Sequence, residues 1–312
     1  MCNLRCQQLA SGIFEKTKLK IMKPTTRAYL ELHLAVFLFG FTAILGDLIQ
    51  LSALALVWWR VLLTSGSLLF LIRAGKLCRE MPRPDLLRFM NIGVLVGLHW
   101  ICFYGAIKLA NASIALIAMA TTSFFTAFLE PLILRQRLNR LEIILSLLIV
   151  PGMILIVNNT DFAKLTGLWV GLLGAFFIAL FATLNKKWMR HYNVLDISFL
   201  ELTTACVLIS AALPFYFIIT GESTAVLLPS PTDWLYLLVL SLVCTTFAYV
   251  LALRSLRHLS AFASNLTVNL EPIYGITLAW LILGENEELS AGFYWGAGLI
   301  LMAVFVYPFL KR

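Results

Sequence analysis

Charge is scarce in this chain. Only 13% of its 312 residues are Asp, Glu, Lys or Arg, and 61% are apolar. An ordinary soluble domain carries about 25% charged and about 45–50% apolar residues. A water-soluble fold of this length has no interior large enough for the excess, which excludes a soluble globular protein. Arrangements that carry chemistry are missing too. No Gly-x-Ser-x-Gly elbow, no Gly-rich phosphate loop ending in Lys and no His-Glu-x-x-His helix occurs, so no catalytic residue is assigned. The six cysteines give no disulfide frame. Cys102, Cys206 and Cys244 lie in apolar runs, Cys78 in a basic loop, and Cys2 and Cys6 on a polar tail. No Cys/His spacing suits a metal, and neither a metal nor a cofactor is expected.

What the chain has is long apolar runs. A helix needs about 20 mostly apolar residues to cross a bilayer. Ten such stretches are read at 28–48, 53–72, 89–109, 112–134, 141–157, 166–185, 197–219, 233–253, 260–283 and 291–310. Short polar or turn-forming pieces separate them, such as Arg83-Pro84-Asp85 and Pro229-Ser230-Pro231. The weakest boundary is the first, where only residues 48–52 intervene. The expected fold is an all-α integral membrane protein of ten transmembrane helices. Residues 1–27 are polar and basic and hold no apolar run of signal-peptide length. Two readings stay open there: a polar tail, or a start at Met22.

The basic residues test the count, because Lys and Arg collect in cytoplasmic loops. With the N-terminus inside, 21 of the 24 Lys and Arg residues fall on the inner side. Lys108 and Lys164 fall outside, and Arg60 lies within a span. A wrong count would scramble the alternation beyond the error. The split accounts for the +8 net charge through contact with the inner lipid surface, without nucleic acid as a partner. Membrane lipids and a small-molecule substrate are the expected partners. Asn111-Ala112-Ser113 and Asn158-Asn159-Thr160 match a glycosylation pattern, but both hug the membrane.

The halves echo each other weakly. Phe39-Gly40-Phe41-Thr42 matches Leu180-Phe181-Ala182-Thr183, and Leu129-Glu130-Pro131 matches Leu270-Glu271-Pro272, both at an offset of 141. That offset sets Arg60 opposite Glu201. A single offset fails near the ends, and an alternative register sets Ser123 opposite Pro272. Two repeats, at 28–157 and 166–310, would each hold five spans. Five is odd, so the second would enter the membrane from the other side, an inverted repeat of the kind transporters use. Duplication in a scaffold without transport is the plainer reading.

Ionisable groups at bilayer depth are costly and usually face a cavity or another charge. Arg60 lies about 10 Å below the outer surface at ~1.5 Å per residue, and His99 and Glu271 near mid-span. The three form a candidate substrate-contacting or gating layer. A structural Arg60–Glu271 ion pair is the competing reading. Trp100 and Tyr274 supply aromatic faces near them. Asn265 and Asn269 share a helix face, with Glu271 on a different side unless Pro272 breaks the helix. Glu130, Glu31 and Glu201 lie toward inner ends and are expected to snorkel or pair with arginines. Gly93/Gly97, Gly167/Gly171 and Gly292/Gly296 are small-residue pairs suited to close helix packing within the bundle.

Trp59-Arg60, the run from Trp100 through Lys108 into Ala112-Ser113-Ile114-Ala115, and Leu270-Glu271-Pro272 followed by Leu283-Gly284-Glu285 resemble the drug/metabolite transporter superfamily, specifically its EamA-type family, over nearly the whole chain from Arg27. Leu134-Arg135-Gln136 departs from it, standing where Gly-Glu would be expected. The resemblance implies export or exchange of amino acids, metabolites or drugs through a central cavity, and no catalytic residues. The cavity is expected between the halves, lined by spans 1, 3, 4, 6, 8 and 9. A bacterial cytoplasmic membrane is the expected location. The alternatives are nucleotide-sugar or organophosphate exchange, which calls for several basic cavity residues, and a membrane enzyme or scaffold.

The charge split predicts that both termini are cytoplasmic. Reporters fused at Lys311 and in the 158–166 loop should report opposite sides, and the same side for both would break the ten-span reading.

Overall fold

The computed structural model describes residues 23–72, 74–158, 161–221, 223–284 and 290–310, and these are helical, with no strand among them. Residues 1–22, Arg73, Asn159, Thr160, Glu222, 285–289, Lys311 and Arg312 lie outside the described residues. Helix follows from composition, since lipid offers backbone N–H and C=O groups no partner and each segment must satisfy its own. In chain order the helices are α1 (Pro24–Leu48), α2 (Ala53–Leu69), α3 (Ala74–Glu80), α4 (Arg83–Leu109), α5 (Ala112–Ala120), α6 (Thr122–Leu134), α7 (Arg140–Leu147) and α8 (Ile149–Asn158). Then come α9 (Leu165–Trp188), α10 (Val194–Thr220), α11 (Pro231–Leu238), α12 (Ala248–Leu256), α13 (Ala261–Val268), α14 (Glu271–Leu278) and α15 (Ala291–Leu310). π-helical turns at Val239–Phe247 and Ala279–Leu283 follow α11 and α14.

Seven stretches are long and apolar enough to cross a membrane: α1, α4, α5–α6 as one, Phe162–His191, α10, Pro231–Leu256 and Ala261–Leu283. The α2 helix is apolar but only 17 residues long. The chain is therefore a multi-pass membrane protein. Ten crossings is a larger number than length and composition establish among the described residues.

Prolines read as loop signals sit in first turns instead. Helix α4 begins at Arg83 with Pro84 in its first turn, six residues before the expected start. Pro231 opens α11 behind a capping box in which the Ser230 and Asp233 side chains each bind the other's backbone N–H. Proline has no N–H to leave orphaned there. The narrow first boundary is a real connection. Gln50 N–H donates to Asp233 Oδ1 at 2.9 Å, Lys108 Nζ donates to Ile49 O at 2.7 Å, and Ser52 caps α2.

Helix α4 packs on α9 and α10 at small-residue contacts. A Cβ at Gly93 would lie 2.8 Å from Glu201 Cα, and one at Gly171 of α9 would lie 2.6 Å from Ala118 Cβ of α5. These glycines serve packing inside the chain, as the sequence suggested.

Two long spans are broken, and at matching places. Asn111 caps α5 and Thr121 caps α6, ten residues later. Ser260 caps α13 and Leu270 precedes α14, again ten residues later. The offset here is 149, the register that sets Ser123 opposite Pro272. For α2 and α10 the caps Ser52 and Asn193 differ by 141, and Arg60 and Glu201 each lie eight residues beyond their cap. The matching Leu-Glu-Pro strings are thus not equivalent positions: Glu271 opens α14, whereas Glu130 lies near the end of α6.

Glu130 does not pair with Arg135 or Arg137. Its carboxylate accepts the backbone N–H groups of Ala261 (3.0 Å) and Phe262 (2.6 Å), at the start of α13. An anion there satisfies orphan donors and faces the positive end of the helix. Two further rungs follow: Asn265 Nδ2 donates to Thr126 Oγ1 at 2.8 Å, and Asn269 Nδ2 to Ser123 Oγ at 2.7 Å. As residue numbers fall along α6 they rise along α13, so the two run antiparallel, joined at each turn. Glu31 pairs with Arg27 and Arg254 as expected.

The α4–α10 contact leaves no room for a methyl group. Gly93→Ala should lower the thermal stability of the purified protein by about 1–3 kcal/mol through overpacking, measured by its melting temperature. An unchanged midpoint would show that the helices separate freely.

Candidate functional site

A cavity lies among α1, α2, α4, α5–α6, α9, α12–α14 and the π turn before α12. Its volume is about 100 Å³. The helices are those of spans 1, 3, 4, 6, 8 and 9, joined by the second through Arg60.

Arg60 is 2% exposed. A buried guanidinium needs hydrogen-bond partners or the fold loses several kcal/mol. Its Nε donates to Thr245 Oγ1 at 2.6 Å and its Nη1 to Tyr104 Oη at 2.7 Å. The guanidinium carbon lies 4.2 Å from the centre of the Trp100 ring, a cation–π contact. Thr245 is placed by the π turn: its hydroxyl donates to Leu240 O, five residues back, while accepting from Arg60. Among the described residues Nη2 has no partner, and Arg60 lines the cavity.

His99 lines it as well, 6% exposed. Its Nδ1 lies 3.0 Å from Gly174 O. A carbonyl only accepts, so Nδ1 carries the hydrogen and Nε2 of the neutral ring is left as an acceptor. Glu271 is 8% exposed. It stands in the first turn of α14, where the helix dipole favours an acid. No hydrogen bond or ion pair reaches its carboxylate among the described residues. The Arg60–Glu271 ion pair weighed from sequence is therefore not made: both groups line one cavity, and the arginine is satisfied by Thr245, Tyr104 and Trp100.

Asn265 lines the cavity together with Glu271 because the helix breaks between them. Asn269 and Tyr274 do not. Asn269 is held by Ser123, and the Tyr274 ring meets Phe37 at 5.4 Å. Tyr249 of α12 lines the cavity, its ring 6.1 Å from Trp100. No group of three or more His, Cys, Asp or Glu suited to a metal occurs among the described residues.

The sequence profile of the EamA-like transporter family matches residues 26–158 and again residues 165–307. The chain belongs to the EamA-like transporter family. The family's members are transporters rather than enzymes, and the two matches make this EamA chain an internal duplication. Their starts are 139 residues apart and their ends 149, the same widening that the cap positions trace. Among solved structures 26 chains match. One, described only as "Crystal structure of protein", aligns with a TM-score of 0.66 at 15% identity, covering 91% of this chain and 99% of its own. At that identity the likeness concerns the fold alone. No curated protein matches the sequence.

Sequence reasoning passed over Thr245 and did not single out Tyr104 among the aromatics. The Thr245-Thr246 pair inside an apolar run was the available signal. If Tyr104 holds Arg60, Tyr104→Phe leaves Nη1 without its partner and should destabilise the protein by about 1–3 kcal/mol. Thermal melting reads this, and an unshifted midpoint would mean that Arg60 is anchored without Tyr104.

Proposed function

We propose that this EamA-family protein moves small organic solutes (amino acids, metabolites or drugs) across a bacterial cytoplasmic membrane, as an exporter or exchanger working by alternating access. The observation that carries the reading is the cavity. It is lined from both family-matched halves, and it holds Arg60, His99 and Glu271 with hydrogen-bonding capacity that the described residues leave unused. Three such groups at bilayer depth are costly in a scaffold and useful to a solute with donors, acceptors or charges of its own. Trp100 and Tyr249 add faces for an apolar portion.

The architecture proposed is ten crossings with both termini inside, residues 28–157 and 166–310 forming inverted five-helix repeats after a tail of residues 1–27. The uneven distribution of basic residues, the two family matches and the equal spacing from cap to break in α5–α6 and α13–α14 support it. Asn265, Asn269 and Tyr274 complete the proposed substrate or gating set, the last two from behind the lining. Arg60 is the one Lys or Arg among the described lining residues, which disfavours nucleotide-sugar or organophosphate exchange, since a phosphate group asks for several cations.

The test is solute flux in liposomes alongside melting of the purified variants. Arg60→Lys keeps charge but loses the planar fork, and Glu271→Gln keeps shape but loses charge. Each should cut flux by about tenfold or more, the equivalent of one lost charged hydrogen bond, while the protein stays folded. Near-normal flux in both would end the reading, whatever their stability.

A further inference from the structure

A second buried acid lies outside the substrate set. Glu201 of α10 is fully buried, although sequence had placed it to snorkel or pair with an arginine. Tyr249 Oη donates to its Oε2 at 2.6 Å. Asn185 of α9 approaches this carboxyl as a hydrogen-bonding neighbour, yet neither its Oδ1 and Nδ2 nor Glu201 Oε1 makes a well-formed hydrogen bond. Three polar atoms without a well-formed hydrogen bond are thus gathered in a place without water-exposed surface, where poorly paired groups are costly.

The groups facing Glu201 decide what it can carry. Helix α12 presents Tyr249, the one titratable group acting on it, and α9 presents Asn185. Helix α4 presents Gly93. The guanidinium of α2, Arg60, is engaged by Thr245 and Tyr104. No cation among the described residues neutralises the carboxylate, and burying an unpaired charge costs several kcal/mol.

We propose that Glu201 is a proton-binding site, loaded and unloaded from the cavity through Tyr249. With a proton on Oε1, the carboxyl donates to Asn185 Oδ1 and still accepts from Tyr249 at Oε2. Two orphan atoms are then satisfied at once. When the proton leaves, a half-turn of the Asn185 amide offers Nδ2 to the carboxylate instead, so the same side chain serves both forms. Tyr249 lines the cavity and supplies the route. An O–H bond forms at Glu201 as the Tyr249 Oη–H bond breaks, and Tyr249 recovers a proton from hydronium in the cavity, leaving water. A half-turn of the carboxyl then brings the new hydrogen to the Asn185 side. Release runs in reverse.

This site is independent of the solute, and so is its test. Infrared difference spectra of the purified protein in liposomes, between alkaline and acidic buffer, should show a protonated-carboxyl band that Glu201→Gln lacks. Tyr249→Phe should keep the band but slow its appearance after a pH jump by about tenfold or more, a kinetic change that a merely structural tyrosine would not produce. Asn185→Leu removes the partner of both forms and favours the neutral one, so the midpoint of the band's titration should rise. It also guards against a Glu201→Gln variant that fails to fold. A band that survives in Glu201→Gln, an unchanged rate in Tyr249→Phe, or an unmoved midpoint in Asn185→Leu would overturn the proposal.

Discussion

The site is organised by the need to satisfy one buried guanidinium. Arg60 lies where water is excluded from most of its surface, so three elements distant in sequence have to converge on it. Helix α4 brings Tyr104 and Trp100 one turn apart, and the turn before α12 brings Thr245. A regular α-helix bonds four residues back. The π turn there lets a threonine hydroxyl reach the carbonyl five back, which fixes its lone pairs toward the arginine. Such turns are frequent at functional sites, and here the reason is visible as a hydroxyl aimed at a charge.

Because Arg60 is satisfied by neutral groups, Glu271 is released from structural duty. An acid locked in an ion pair would have little left for a solute. This one opens a helix, draws stabilisation from the N-terminal dipole, and keeps its oxygens uncommitted. The same division separates the two residues eight positions past their caps. Arg60 lines the cavity, whereas Glu201 is fully buried and bonded to Tyr249. Positions equally far from their helix caps thus carry a base and an acid and differ in their contact with the cavity.

Much of this could be read from the chain because apolar sequence makes exceptions conspicuous. In runs that are almost wholly apolar, Arg60, His99 and Glu271 stand out, and the structure places them around one cavity with Trp100 and Asn265. Thr245 and Tyr104 did not stand out, since Thr and Tyr are ordinary in membrane helices and their role depends on a neighbour in space. The break at Thr121 carries no Gly or Pro to mark it. Glu130 was misread because its partners are backbone groups 131 and 132 residues away. Local charge suggested Arg135 and Arg137. Glu201 was misread for a similar reason, as sequence placed it near an inner end but could not reveal that α4 packs against its backbone.

The antiparallel rungs between α6 and α13 have a mechanical consequence. Glu130 to the start of α13, Thr126 to Asn265 and Ser123 to Asn269 bolt one segment from each half into a single beam. Each bond joins buried groups, so the segments cannot slide without straining all three together. In the alternating-access reading proposed above, displacement of the halves would be denied to this seam and fall on the interruptions at Thr121 and Leu270. There the main chain is already out of helical register, and bending sacrifices few hydrogen bonds. In that reading the beam would act as a fulcrum, with α5 and α14 as its two levers.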